Sequence, residues 1–319
     1  MIFKSKRIYF EDGVKDGFLF VEKGKFNDFR SQIDTDKYID LGNDRIIPGI
    51  FDTHNHGTCG YSFLDSGEEK VSADEIKGCL KGLASQGVTS VFPTVSPTMI
   101  GTIAETAKLR PTGATILGIH SEGPWLNRAG EKGIRTPWPA VRKETAEKMV
   151  EDGQGMLKLV ALAPEIPGKD PIIHFFLDQG VTVACAHSDC NYRQAMEAYR
   201  KGLSVATHTG NVMVGMHHRD VGGLGAALLN DAVDCEVICD GMHVCPEMLE
   251  IYFRIKNPSR FMMISDCTAF SGAPAGRYCT SNMQTNMTVT KDGFVLTDTG
   301  RLCGSSQPVL FGLENLIEK

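Results

Sequence analysis

Tryptophan is scarce, at two residues in 319, and positive charge is not in surplus: 33 lysines and arginines stand against 39 acidic residues, a formal net charge of -6. That balance excludes a general nucleic-acid binder or a membrane-surface binder. An anionic small substrate stays open, because local charge decides that. No apolar run approaches the roughly 18 residues of a membrane span. The start, Met1-Ile-Phe-Lys-Ser-Lys-Arg-Ile8, has no apolar signal core and no small-residue cleavage site. The ten cysteines contain no Cys-x-x-Cys pair, which removes the commonest zinc and redox spacings. A cytoplasmic protein with reduced thiols is therefore expected. No Gly-x-Gly-x-x-Gly loop follows a strand, which argues against a dinucleotide-binding open sheet. Internal repeats and low-complexity tracts are also missing.

What is present falls into two rhythms. Residues 1–45 carry short alternating segments (6–10, 17–21 and 37–41) between polar turns, which predict small antiparallel strands of a partial β-sandwich. From residue 46 to 319, strands alternate with helices. Eight short apolar runs are visible at 46–51, 89–93, 115–120, 157–162, 181–186, 204–207, 235–239 and 261–265. Helical spacing fills most of the gaps. Ser72-Ala-Asp-Glu75 is a helix start, and Asn191 to Lys201 is a helix closed by Gly202. Residues 246–255 form a third helix. Eight such units predict a TIM-like (β/α)8 barrel. After 276, two short runs flank Lys291-Asp-Gly293, a hairpin turn, and a last helix starts at Pro308.

The chemistry gathers at the C-terminal ends of these strands. His54-Asn-His56 closes the first run; residues two apart on an extended chain face the same side, so both imidazoles can reach one ion. Glu122 ends the third run, His187 the fifth, His208 the sixth and Asp266 the eighth. Such residues on one barrel face read as catalytic. Imidazoles with carboxylates suit Zn, Fe, Mn or Co better than Ca or Mg. Asp266 is placed to take a proton from an activated water and return it to a leaving amine. A plainer role for Asp266 is capping the next helix. Lys158 begins the fourth strand at the opposite end of the barrel, so it is no candidate for a carbamylated ligand.

Several stretches resemble the N-acetylglucosamine-6-phosphate deacetylase family of the amidohydrolase superfamily. They are Pro48-Gly-Ile-Phe-Asp-Thr-His-Asn-His-Gly57, His120-Ser-Glu-Gly-Pro-Trp-Leu-Asn127, Ala186-His-Ser188, Ala206-Thr-His208 and Asn211-Val-Met213. Further on come His217-His-Arg219, Cys239-Asp-Gly-Met-His243, Ile264-Ser-Asp266 and Leu302-Cys-Gly-Ser305. The resemblance runs in family order over nearly the whole chain. It implies Glu122, His187 and His208 as ligands of the main metal, with His54 and His56 holding a second one in some members. It implies one or two divalent transition metals and Asp266 as general acid and base. Asn211, Arg219 and His243 are then the sugar-phosphate binders, with Val212 and Cys303 beside the substrate. Arg219 is typically offered to a neighbouring subunit, which implies a homodimer.

Two departures stand out. Glu131-Lys-Gly-Ile-Arg135 has an arginine where the family usually has a substrate-orienting histidine. Arg135 donates hydrogen bonds but cannot share a proton. Thr209-Gly210 replaces the usual Leu-Tyr before Asn211. Family members also continue past the final barrel helix into the sandwich, so that sandwich is expected to be incomplete here. The leading expectation is hydrolysis of the acetamide of an N-acetyl amino-sugar 6-phosphate. A different amide hydrolase, favoured by Arg135, and a catalytically retired paralogue are the alternatives.

Overall fold

The computed structural model describes residues 1–65, 71–129, 134–135, 138–279 and 286–318. The chain divides into two compact units, Met1–Gly49 and Ile50–Lys319. In the first, Ile2–Phe10 pairs antiparallel with Gly13–Glu22, which pairs with Lys25–Arg30. The other edge of Ile2–Phe10 pairs in parallel with Ile39–Asp40 and with Arg45–Ile46. This is one five-stranded sheet, over which Ile8 and Leu19 are buried. Ile46, grouped with the barrel by its apolar run, sits opposite Ile8 here. Pro48 explains the split, since it cannot donate to a continuing ladder.

The second unit is a (β/α)8 barrel. Its strands are β1 (Ile50–Asn55), β2 (Val88–Val95), β3 (Ile119–Glu122), β4 (Leu157–Leu162), β5 (Thr182–Cys185), β6 (Val205–Ala206), β7 (Asp234–Ile238) and β8 (Phe261–Ile264). Each pairs in parallel with the next. The third apolar run is interrupted at Leu117-Gly118: residues Thr115–Ile116 pair separately with β2 before β3 begins. Between β8 and β1, the Asp266 N–H donates to the His54 carbonyl at 3.0 Å, and Asn55 bridges Cys267. The helices are α1 (Ala73–Ser85), α2 (Ile100–Lys108), α3 (Lys143–Gly153), α4 (Asp170–Asp178), α5 (Tyr192–Arg200), α6 (Gly222–Leu229), α7 (Pro246–Ile255) and α8 (Val309–Glu318). Ser72 caps α1 by accepting the Glu75 N–H, and Asn191 with Gln194 forms a capping box on α5.

Alternation along the strands separates two layers. Val160, Leu162, Val183, Cys185, Cys235 and Val237 join the main core with the helices. Leu159, Ala161, Ala184, Ala186 and Val205 form a second, interior cluster. After β8, Gly276–Cys279, Asn286–Val289, Phe294–Thr297 and Leu302–Ser305 make an antiparallel four-stranded sheet, with Lys291-Asp-Gly293 at its central turn. Phe270, Met287, Val289 and Val295 form its own small core. Among the described residues, no helix is long and apolar enough to cross a membrane.

Candidate active site

Three predicted site residues leave their strands through a left-handed turn. His187, His208 and Asp266 have φ of 48°, 31° and 51°, and Val212 follows at 51°. Non-glycine residues rarely adopt this region, and each instance costs on the order of 1–3 kcal/mol. These turns lie at the barrel mouth, where the side chains converge.

The donors form two adjoining groups. Glu122 Oε1 is 3.0 Å from His187 Nε2 and 3.1 Å from His208 Nε2, and those two nitrogens are 3.2 Å apart. Glu122 Oε2 faces the other way, 3.3 Å from His56 Nε2. The Nε2 atoms of His54 and His56 lie 3.2 Å apart, at 3.4 and 3.3 Å from Asp266 Oδ1. One carboxylate thus serves both groups.

The tautomers fit a cation. Nδ1 of His187 meets the Arg128 carbonyl at 2.8 Å, that of His208 the Asn211 carbonyl at 3.1 Å, and that of His56 the Thr94 carbonyl at 3.0 Å. A carbonyl only accepts, so each Nδ1 carries the proton in the neutral ring and each Nε2 presents a bare lone pair. Bare nitrogens about 3 Å apart beside a carboxylate repel unless a positive charge lies between them. Donors about 2.1 Å from a tetrahedral ion lie about 3.4 Å apart, close to the spacing of the Glu122, His187 and His208 atoms. The residues therefore fit a divalent metal.

Without a metal, protons take over this role. Burial works to lower the His56 pKa, yet hydrogen bonds and charge from Asp266 and Glu122 raise it to about 10. The same opposition, with Glu122 foremost against burial, pushes His208 up to about 9. Burial favours protonation of Glu122 and Asp266, but the surrounding histidines hold both carboxyls well below the usual carboxylate range. Asp266 is therefore ionised at neutral pH. Its side chain is engaged by imidazoles, with Oδ1 3.4 and 3.3 Å from the Nε2 atoms of His54 and His56, while its N–H and carbonyl are bound by the His54 carbonyl and the Ser305 N–H.

Glu236 and His120 were not among the sequence candidates. Both are fully buried inside the barrel behind His54. His54 Nδ1 faces Glu236 Oε2 at 3.7 Å, and the Thr53 hydroxyl donates to Glu236 Oε1 at 2.5 Å. Burial lowers the His120 pKa to about 4, so that ring is neutral. The available signal was register: on β7, Cys235 and Val237 face the helices, which turns Glu236 inward.

The remaining sequence candidates are spread out. Asn211 supplies its carbonyl to His208, and its side-chain amide nitrogen is buried without a hydrogen-bond partner among the described residues. The Val212 carbonyl accepts the Ser188 N–H at 3.1 Å, joining the turns after β5 and β6. His243 donates from Nδ1 to Asp240 Oδ2 at 2.7 Å, and the Ser305 hydroxyl donates to the same oxygen at 2.9 Å. Cys303 packs against the small core of the four-stranded sheet, and burial with the Asp266 charge pushes its thiol up. Arg219 is exposed in a surface pocket with Tyr192, Arg193, His217 and His218, whose lining includes none of the metal donors. The backbone of Arg135 pairs with Arg128, while its side chain lies outside the described residues.

The amidohydrolase family matches residues 45–268. An N-acetylglucosamine-6-phosphate deacetylase of Vibrio furnissii is 32% identical over 286 residues, covering 87% of this chain and 69% of its own. An N-acetylgalactosamine-6-phosphate deacetylase of Escherichia coli O157:H7 is 30% identical over 282 residues, covering 86% and 72%. The crystal structure of N-acetylglucosamine-6-phosphate deacetylase from Thermotoga maritima superposes with a TM-score of 0.78 at 26% identity, covering 99% of this chain and 83% of that one. With a barrel whose strand ends converge on a metal-fitting donor set, the chain belongs to the amidohydrolase family, in the branch of the N-acetyl amino-sugar 6-phosphate deacetylases.

Proposed function

We propose that this protein hydrolyses the acetamide of N-acetylglucosamine 6-phosphate to acetate and glucosamine 6-phosphate. The observation that carries the reading is the position of Asp266, an ionised carboxylate 3.3–3.4 Å from two metal-facing imidazoles, beside the Glu122, His187 and His208 triad. Glu122, His187 and His208 would hold the main ion, and His54 with His56 and Glu122 Oε2 a second. Zn, Fe, Mn and Co suit this donor set. When bound, the ion lowers the pKa of its water to roughly 7 and polarises the acetyl carbonyl.

Asp266 takes the proton of the attacking water at Oδ1. As the amide C–N bond breaks and the new C–O bond completes acetate, it delivers that proton to the departing amine nitrogen. His243, with Nδ1 held by Asp240, keeps Nε2 for the substrate. The unpartnered Asn211 amide and the Arg219 guanidinium supply donors for the phosphate. Arg219 is exposed and suits a site completed across a homodimer in the cytoplasm. Val212 and Cys303 flank the substrate, and Arg135 offers a further donor.

Acetate release from N-acetylglucosamine 6-phosphate tests this, run beside the galactosamine isomer and the unphosphorylated sugar. Preference for the phosphorylated glucosamine compound is expected. No acetate from any of the three, by protein with metal bound, overturns the reading.

A further inference from the structure

The four metal-facing histidines are not held alike. His187, His208 and His56 each set their outer nitrogen against a backbone carbonyl. His54 is set against a carboxylate. Its Nε2 points at Asp266, so its Nδ1 points down into the barrel, where Glu236 Oε2 lies at 3.7 Å. Among the described residues neither atom completes a hydrogen bond, and His120 Nε2 beside them has no partner either. All three side chains are fully buried, and their ligand atoms lie within 4.8 Å of one another.

Glu236 has few alternatives. Its Oε1 is occupied by Thr53, and Oε2 is shut away from water. A buried carboxylate oxygen without a partner is costly, and positive charge arriving on His54 relieves that cost. A carboxylate behind a metal-binding histidine fixes its tautomer and raises its basicity. His120, with Nδ1 beside the Thr53 carbonyl at 3.2 Å, donates there and is left as an acceptor at Nε2.

We propose that Glu236 is a positioning residue for the second metal position: it holds His54 as the Nδ1–H tautomer so that Nε2 faces the ion. It acts through His54 and touches neither substrate nor reacting atoms. The inference rests on the two-position metal centre proposed above.

The test is Co2+ binding to the full-length, metal-stripped chain, with stepwise affinities from chelator competition. Glu236→Gln keeps shape and removes charge. The expected result is a 10- to 100-fold weaker second step with the first step unchanged. On a His54→Asn background the same substitution should change nothing further. Both steps unchanged, both weakened equally, or a further loss without His54 each overturn the inference. If Glu236→Gln does not fold, Thr53→Val, which frees Glu236 Oε1, should weaken the second step alone; an unchanged second step is equally fatal. A wild-type chain that binds one equivalent overturns the two-position reading itself, whereas two equivalents insensitive to Glu236 overturn only this inference.

Discussion

Replacing Asp266 with asparagine isolates proton transfer from metal binding. The side chain keeps its shape, and its backbone is fixed at both ends: the N–H donates to the His54 carbonyl at 3.0 Å, and the carbonyl accepts the Ser305 N–H at 2.9 Å. Gly304 permits this approach, because a Cβ there would sit 2.7 Å from the Asp266 oxygen. The amide should therefore occupy the same place, with an oxygen still near His54 and His56 that can accept a hydrogen bond but not a proton. General acid-base catalysis contributes about 10²–10⁴-fold. Asp266 is asked to move two protons, from the water and to the amine, so the loss should lie near the upper end. A factor of 10⁴ in kcat is about 5 kcal/mol on the barrier. The assay is acetate release at saturating substrate and saturating metal, with metal per chain measured on the same sample. An asparagine variant that holds its metal and keeps kcat within about tenfold, below the smallest contribution expected of a general base, refutes the role.

Glu122→Gln should strip the main ion, because Oε1 faces His187 and His208 and Oε2 faces His56; one full equivalent at unchanged affinity speaks against a shared carboxylate. In the metal-free chain, His56 and His208 are raised to about 10 and about 9. Their stabilisation is complete below the ordinary histidine value of about 6.5 and is lost as pH climbs through the folded values. Chelator-treated protein should thus lose Tm between about pH 6.5 and 10, and added metal should restore most at the alkaline end; a flat or rising Tm contradicts this. Gly210→Ala should destabilise by about 2–4 kcal/mol, since φ is +94° and the new Cβ runs into the Tyr252 hydroxyl. An unchanged Tm rules out that clash.

Much of the barrel was legible because its strands are continuous apolar runs and its helices announce themselves with caps such as Ser72 and Asn191. The converging donors were legible because strand ends are where such a barrel collects chemistry. The misses have physical causes. Lys25–Arg30 is a strand with no buried side chain, held by backbone pairing to Gly13–Glu22, so periodicity carries no trace of it. Ile46 and Ile50 belong to different units although one apolar run joins them. Glu236 escaped because a carboxylate flanked by Cys235 and Val237 gives its direction only through the register of those neighbours.

His187, His208 and Asp266 sit at positive φ, a region that histidine and aspartate enter more often than most non-glycine residues but still at a cost. The three turns together cost on the order of 3–9 kcal/mol, comparable to a whole domain's net stability. Backbone pairing continues beyond two of them: the Thr209 N–H donates to the Glu236 carbonyl at 2.7 Å, and Asn55 bridges Cys267. What they accomplish is to bring carboxylates and imidazole nitrogens to 3.0–3.4 Å from one another, a crowding that is unfavourable without a cation. The strain and the crowding therefore point the same way. Glu122 joins the two donor groups, with Oε1 facing His187 and His208 and Oε2 facing His56. His54 and His56 are part of that arrangement rather than an appendage to it: their Nε2 atoms share Asp266 with each other and, through Glu122, a carboxylate with the main triad.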